Sequence, residues 1–545
     1  MAHYIQHSRF IKTFIWLCWG ITLAIFAFMA YCSFPVSDDF IMAQDTHKGF
    51  LWSITYWLGF WLSAWFTVAL EVSIPMAFGY LDYGIWFFCF QMLLLWLASY
   101  AIAQVVMRSL SAQGMAVYFA NALITLYLLF AVSISETIYW QIGAIAYTWS
   151  FITFLFCVAA HLHGVQAGML LPPKQHTAAW ALAIVCILLM FGGLVFTKNF
   201  KHFIHAFDAV FAGKRLYIFW LLFALVILFL IKQGSKYLFY NFILAALAVF
   251  LSIGSGPQFV IFTNAYLLSA LGILYLLYRR VHLPTLLLFC ISVVLSVGVL
   301  LLPGTKNRVN ITTGAQPDQI DVLWQGAKFV IQLFFVQDSL WLVYLLVFLF
   351  AGTFSAFFKV SIPIQLENIR TLVHIIFALT FCVIVSAAMV IFLNTKGYFP
   401  PRLIHNFTSL FIFATAIYGL FIGALYKSTW LPKATLPYMA SGALTALFLL
   451  SPNAHRVIRE IASGEPLQYR AYKLQSFEAI KACQSDTCQI PFKKFNLSTI
   501  QDQAFIMPYD WGFVLSHKLF VSRYFGKEYI YYDPATIPVE LKSLK

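Results

Sequence analysis

The chain has 545 residues, of which 62% are hydrophobic, 19% aromatic and only 10% charged. Soluble globular chains run at about 45–50% apolar and about 25% charged, so a water-soluble domain, a disordered chain and a nucleic-acid reader are all excluded. In so apolar a chain the net charge of +14 points to membrane topology and anionic headgroups.

Up to Leu450 the sequence is a series of apolar runs approaching the roughly 20 residues that cross a hydrocarbon core. Thirteen are read, at 13–34, 86–106, 115–133, 141–160, 177–197, 216–231, 237–253, 257–278, 283–302, 339–358, 371–393, 408–426 and 435–450. Only helices satisfy their own backbone hydrogen bonds in lipid over such runs, so residues 1–450 are expected to form an all-α polytopic membrane domain. The first run is too long for a signal h-region and is followed by no small-x-small site, so it should stay as an anchor. Arg9 and Lys12 before it place the N-terminus in the cytoplasm.

Directly after this run comes an adjacent acidic pair, Asp38 and Asp39, among only eleven acidic residues in the first 450. Carboxylates at a membrane boundary are costly unless they face water, a partner or a site. A solvated loop is one reading; a base for an attacking hydroxyl, or a ligand for a divalent cation, is the other. Residues 51–72, rich in Trp, read as a helix lying in the interface, as do residues 322–336. The second outer loop runs from Ser135 to Gln141. There Glu136 stands beside Tyr139 and Trp140, either ordinary interfacial aromatics or a surface for a sugar ring.

Farther along, Lys198, Lys201, Lys214 and Arg215 make one outer loop basic. Leu302-Pro303-Gly304-Thr305-Lys306-Asn307-Arg308 pairs a turn with two cations. Arg offers phosphate a bidentate fork and Lys a point charge; the alternative is a loop meeting lipid headgroups. The run Lys396 to Arg402 repeats the pattern, with a rigid Pro400-Pro401 turn before Arg402. No ionisable group stands with certainty at mid-span, where a transporter more often places them.

After Ser451 the composition changes. Residues 452–545 carry twelve Lys/Arg and nine Asp/Glu and no long apolar run, so 451–545 is expected to be a small α+β domain in water. Thirteen crossings place it outside. The inner loops are then roughly twice as rich in Lys/Arg as the outer ones, as the positive-inside rule asks. Cys483 and Cys488 in this domain read as a local disulfide, with free thiols or half a metal site as the alternative.

Four motifs in order resemble the GT-C membrane glycosyltransferases, most of all a bacterial branch that includes O-antigen-type glucosyltransferases. They are Ser37-Asp38-Asp39-Phe40, the stretch Glu136 to Tyr147, Leu302 to Arg308, and Tyr398-Phe399-Pro400-Pro401-Arg402. The segments Tyr509-Asp510-Trp511 and Ser522 to Gly526 also resemble that branch's terminal domain. The resemblance implies a GT-C-like bundle of about 13 transmembrane helices with its active site on the periplasmic face. It implies a polyprenyl-phosphate-linked sugar donor and a glycan or glycolipid acceptor, membrane lipids as surroundings, and no nucleic acid.

Residue by residue, it gives Asp38 or Asp39 the role of catalytic base, or of metal ligand if a divalent cation is used. Lys306, Arg308 and Arg402 would bind donor phosphate; Glu136, Tyr139 and Trp140 would face the sugar or acceptor. One departure stands out: relatives often carry an Arg after Trp and Gly, where this chain has Phe60. The expected protein is a bacterial inner-membrane hexosyltransferase of the cell envelope. The alternatives are an O-antigen polymerase or ligase-like enzyme and a transporter or flippase of a lipid-linked substrate.

Overall fold

The structure, a computed structural model, describes residues 2–36, 38–60, 64–72, 81–166, 236–278, 281–302, 340–358, 377, 380, 401–426, 435–490, 495, 497–500 and 522–532. It is helical almost throughout. After α1 (Ala2–Tyr31) come three short helices, α2 (Asp38–Thr46), α3 (Phe50–Phe60) and α4 (Trp65–Glu71). The long helices α5 (Gly84–Ser109), α6 (Ala116–Phe130) and α7 (Gln141–Gln166) follow. Beyond them lie α8 (Lys236–Ile253), α9 (Pro257–Tyr278), α10 (Leu283–Leu301), α11 (Leu340–Phe357), α12 (Pro401–Tyr426) and α13 (Leu436–Leu450).

Among the described residues seven helices are long and apolar enough to cross a membrane, and three more are apolar but shorter. These ten fall on ten of the apolar runs. The runs at 177–197, 216–231 and 371–393 lie outside the described residues, apart from Phe377 and Thr380. Boundaries shift where polar residues find partners. Helix α7 runs on past residue 160 because His161 is buried against Tyr266 and Thr285. Helix α12 is described from Pro401, ahead of the apolar run, and proline suits a first helical turn. On α5 the exposed Trp86, Phe90, Leu93 and Leu97 recur at helical spacing, an apolar stripe suited to lipid.

The helices pack as neighbours α1 with α5, α6 and α13, α7 with α5 and α8, and α11 with α12 and α13. Among the described residues the most extensive contact is α11 on α12. A Cβ at Gly423 would lie 2.2 Å from the Gly352 carbonyl oxygen, so a small residue is needed for these backbones to meet. The chain ends of the helices sort onto two rims. On one rim Arg470 donates to the Tyr31 carbonyl and pairs with Asp82, while Ser451 and Asn453 donate to the carbonyls at the end of α6. At the other, Lys12 lies over the rings of Tyr118 and Phe358.

Residues 51–72 are not one interfacial helix. They form α3 and α4, and α4 is pinned to the rim: Phe66 N donates to Gly254 O, and Thr67 Oγ1 to Ser255 O at 2.8 Å. Residues 322–336 lie outside the described residues. After Leu450 the chain turns at once into α14 (Pro452–Ser463), then α15 (Glu465–Ala482). Two short strands, β1 (Thr487–Ile490) and β2 (Tyr529–Tyr532), pair in parallel with Thr487 opposite Tyr529. Cys483 and Cys488 are joined in a disulfide. Helix α15 and the 522–525 turn clasp α2 through rings: Phe40 meets Phe477, Tyr524 and Phe525, and Phe34 meets Tyr469 and Phe477.

Candidate functional site

The acidic pair opens α2. Asp39 N donates to Val36 O, and Val36 N donates back to Asp39 Oδ2 at 3.0 Å, a reciprocal helix-start box. The same Oδ2 accepts from the Tyr83 hydroxyl at 3.1 Å, and Oδ1 accepts from Ile142 N at 3.1 Å. Ile142 lies in the first turn of α7, whose amides have no partner within the helix. One carboxylate therefore closes two helix starts and fixes the segment after α1 onto the start of α7. Asp39 is fully buried, and burial pushes its carboxyl up to about 7 against the lowering pull of these three hydrogen bonds. Burial and the neighbouring Asp39 hold the Tyr83 hydroxyl well above its ordinary value, so it stays protonated. Asp38, beside it in the first turn of α2, is only half-buried.

The segment from Ser133 to Trp149 has unusual backbone. Ser133 adopts φ +54°, and its carbonyl takes the amides of Glu136 and Thr137. Residues Ser135–Tyr139 and Ile145–Trp149 are both wound as π-helix. Such turns are rare and recur at functional sites because they re-aim side chains. A Cβ on Gly143 would lie 2.0 Å from the Glu136 carbonyl oxygen, so only glycine allows the turn to fold back on α7.

This folding brings Glu136 and Arg402 together. Ser133 Oγ donates to Glu136 Oε2 at 2.9 Å, and Arg402 Nη1 to Oε1 at 3.1 Å. Arg402 Nε donates to the Tyr147 hydroxyl at 3.1 Å, and its guanidinium carbon lies 5.9 Å from the Trp140 ring centre. Beneath them runs a directed chain of hydrogen bonds. Val132 N donates to His405 Nδ1, so the ring proton sits on Nε2 and is donated to the Tyr127 hydroxyl at 2.6 Å. That hydroxyl donates to Thr148 Oγ1, which donates to Thr137 O at 2.6 Å. The chain braces both π-turns against α12, the helix that carries Arg402.

A small pocket of about 10 Å³ lies at this junction, lined by Phe34, Val36, Ser135, Glu136, Tyr139, Trp140 and Ile500. It holds about one water. Ile500 is placed by Glu460, whose carboxylate accepts from the amides and hydroxyls of Ser498 and Thr499. Deeper in the bundle lies a second, apolar cavity of about 260 Å³, lined by Phe154, Phe262, Tyr266, Phe413, Tyr418 and Phe421 among others.

Asp38, Asp39, Glu136, Tyr139, Trp140 and Arg402 thus sit on one rim. Lys306 and Arg308 lie outside the described residues, as do Tyr398 to Pro400 and the basic loop at 198–215. Two of these side chains also have partners within the protein. The Tyr139 ring lines the pocket, but its hydroxyl donates to Phe26 O of α1. Arg402, expected on phosphate, pairs with Glu136, expected on the sugar side. A cation does not fit Asp39, whose oxygens face N–H and O–H donors, and among the described residues no three ligating side chains cluster. Sequence reasoning missed Tyr83, Tyr147, His405 and the Ile142 amide. His405 was legible as a polar residue close to an apolar run; Tyr147 lay in a quoted motif.

Fold and composition together define a helical membrane protein with a polar, carboxylate-bearing rim. The chain matches no protein-family model, no curated protein and no solved structure.

Proposed function

We propose that this protein is an integral membrane glycosyltransferase that moves a sugar from a polyprenyl-phosphate donor to a glycan or glycolipid acceptor outside the membrane. In this reading thirteen helices cross a bacterial inner membrane, the N-terminus is cytoplasmic, and residues 451–545 form a periplasmic domain over the active rim. The observation that carries it is the convergence of carboxylates, a guanidinium and aromatic rings from distant segments: Asp39 on Ile142 N, and Arg402 on Glu136 beside Trp140.

The two aspartates take different parts. Asp39, fully buried, accepts from three donors and positions the rim; Asp38, half-buried, is the base. It takes the proton of an acceptor hydroxyl as that oxygen bonds to the anomeric carbon. The bond from that carbon to the phosphate oxygen breaks, and polyprenyl phosphate leaves with the electron pair, inverting the centre. Arg402, exchanging Glu136 for phosphate, steadies the leaving charge, with Lys306 and Arg308 as further candidates. The apolar cavity offers volume for part of the lipid tail. A sugar exceeds the rim pocket, so the Leu497 to Ile500 segment must move aside for it.

The experiment incubates purified protein with a polyprenyl-phosphate sugar and an acceptor and separates lipid-linked sugar from product. Asp38→Asn should slow transfer by ~10²–10⁴-fold with folding intact. Transfer at the normal rate by this variant would remove the base assignment. A second reading, transport of a lipid-linked substrate, draws on a buried polar chain within the spans. His161 bonds Tyr266 and Thr285 at 2.8 Å each, and Thr285 bonds His282 at 2.7 Å. Movement of a labelled lipid between leaflets with no covalent product would favour it.

A further inference from the structure

We infer that α14 is a docking surface for anionic phospholipid headgroups of the leaflet at the site rim. Its depth is set by two neighbours. Helix α13 ends at Leu450 with Leu449 and Leu450 exposed, and one residue later Ser451 caps α14 by accepting from Ala454 N at 3.0 Å. The first turn is stapled to the end of α6, since Ser451 Oγ donates to Leu129 O and Asn453 Nδ2 to Leu128 O and Ala131 O. Helix α14 therefore lies across the bundle at the level where two apolar helices leave the hydrocarbon.

Its two faces differ sharply. Asn453, Ala454, Val457 and Glu460 are buried, and Glu460, the only acid on the helix, is turned inward onto Ser498 and Thr499. His455, Arg456, Ile458 and Arg459 are exposed. The outward face thus carries two arginines three residues apart and no acid, with Ile458 47% exposed between them. Leu467 on the next helix is 49% exposed. Cations flanking an apolar side chain at the hydrocarbon boundary are complementary to a phosphate layer over acyl chains: the arginines meet phosphate oxygens and Ile458 enters below. Each arginine near such a surface favours anionic lipid by about fivefold, equivalent to ~1 kcal/mol. Helix α14 thereby couples the headgroup layer on one face to the Ile500 segment of the rim pocket on the other. This surface does not depend on the transferase reading.

The test uses the full chain in nanodiscs. Ile458→Cys, in a background where the seven cysteines outside the disulfide are replaced, carries a bimane label. Quenching by brominated phosphatidylglycerol is compared with that by brominated phosphatidylcholine at equal mole fraction. The expected result is quenching by both lipids, several-fold stronger with the anionic one. That preference should disappear in Arg456→Gln/Arg459→Gln while quenching by the neutral lipid persists. Because these side chains are exposed, the variants should fold, and a Trp-fluorescence melt verifies it. Absence of quenching by either lipid, showing a face turned to water or to another protein, would overturn the inference. Equal quenching by the two lipids in the parent would overturn it as well.

Discussion

Asp39→Asn separates the positioning role of this carboxylate from a chemical one. In the folded protein burial holds the carboxyl at about 7 against an ordinary 3.8, so the folded state binds this proton more tightly than the unfolded chain. The stability it contributes is fully present below about pH 4 and is lost as pH rises to about 7. At about 1.4 kcal/mol per pH unit that amounts to about 4 kcal/mol across the window. The neutral carboxyl keeps its partners, because the Tyr83 hydroxyl rotates to accept while Val36 N and Ile142 N still donate. Asparagine loses this titration and also loses a partner. With its oxygen toward Val36 N and Tyr83, its NH₂ faces the Ile142 N–H, and an unsatisfied buried donor costs about 1–3 kcal/mol. The variant should therefore be less stable than the parent near pH 4.5 and should equal or exceed it above pH 7. Trp-fluorescence melts of both proteins at matched pH from 4.5 to 8.5 read this crossing, because other titrating groups cancel in the difference. Parallel curves with a constant gap would refute the buried, doubly engaged carboxylate.

Three other perturbations follow from the same geometry. Gly143→Ala places a methyl against the Glu136 carbonyl and should destabilise the protein by ~1–3 kcal/mol; a melt unchanged from the parent would contradict the folded-back π-turn. Arg402→Lys keeps the charge but cannot bond Glu136 and Tyr147 together, so transfer should fall more than tenfold with little change in melting; full activity would remove Arg402 from the site. His405→Phe breaks the chain between Val132 N and Tyr127, leaving Val132 N without its acceptor while the Tyr127 hydroxyl still donates to Thr148, and should lower stability by about 1–3 kcal/mol. A neutral His405→Phe would show that the π-turns need no such brace.

What the sequence determined is set by composition and period. Apolar runs long enough to cross lipid leave the backbone no choice but helix, which is why every run on described residues is one. The change of composition at Ser451 marks the end of the apolar chain for the same reason, because no run beyond it approaches the length of a span. Motif order also brought out Asp38, Asp39, Glu136 and Arg402 as residues worth following. Their partnerships were not legible. Nothing local says that Asp39 directs its carboxylate to the Ile142 amide 103 residues away, or that Arg402 pairs with Glu136 266 residues away. Those choices belong to tertiary packing. The start of α7 has unpaired amides, and the rim around Arg402 excludes most of the water that would otherwise screen it. In each place the nearest group of opposite character in space, not in sequence, settles the account.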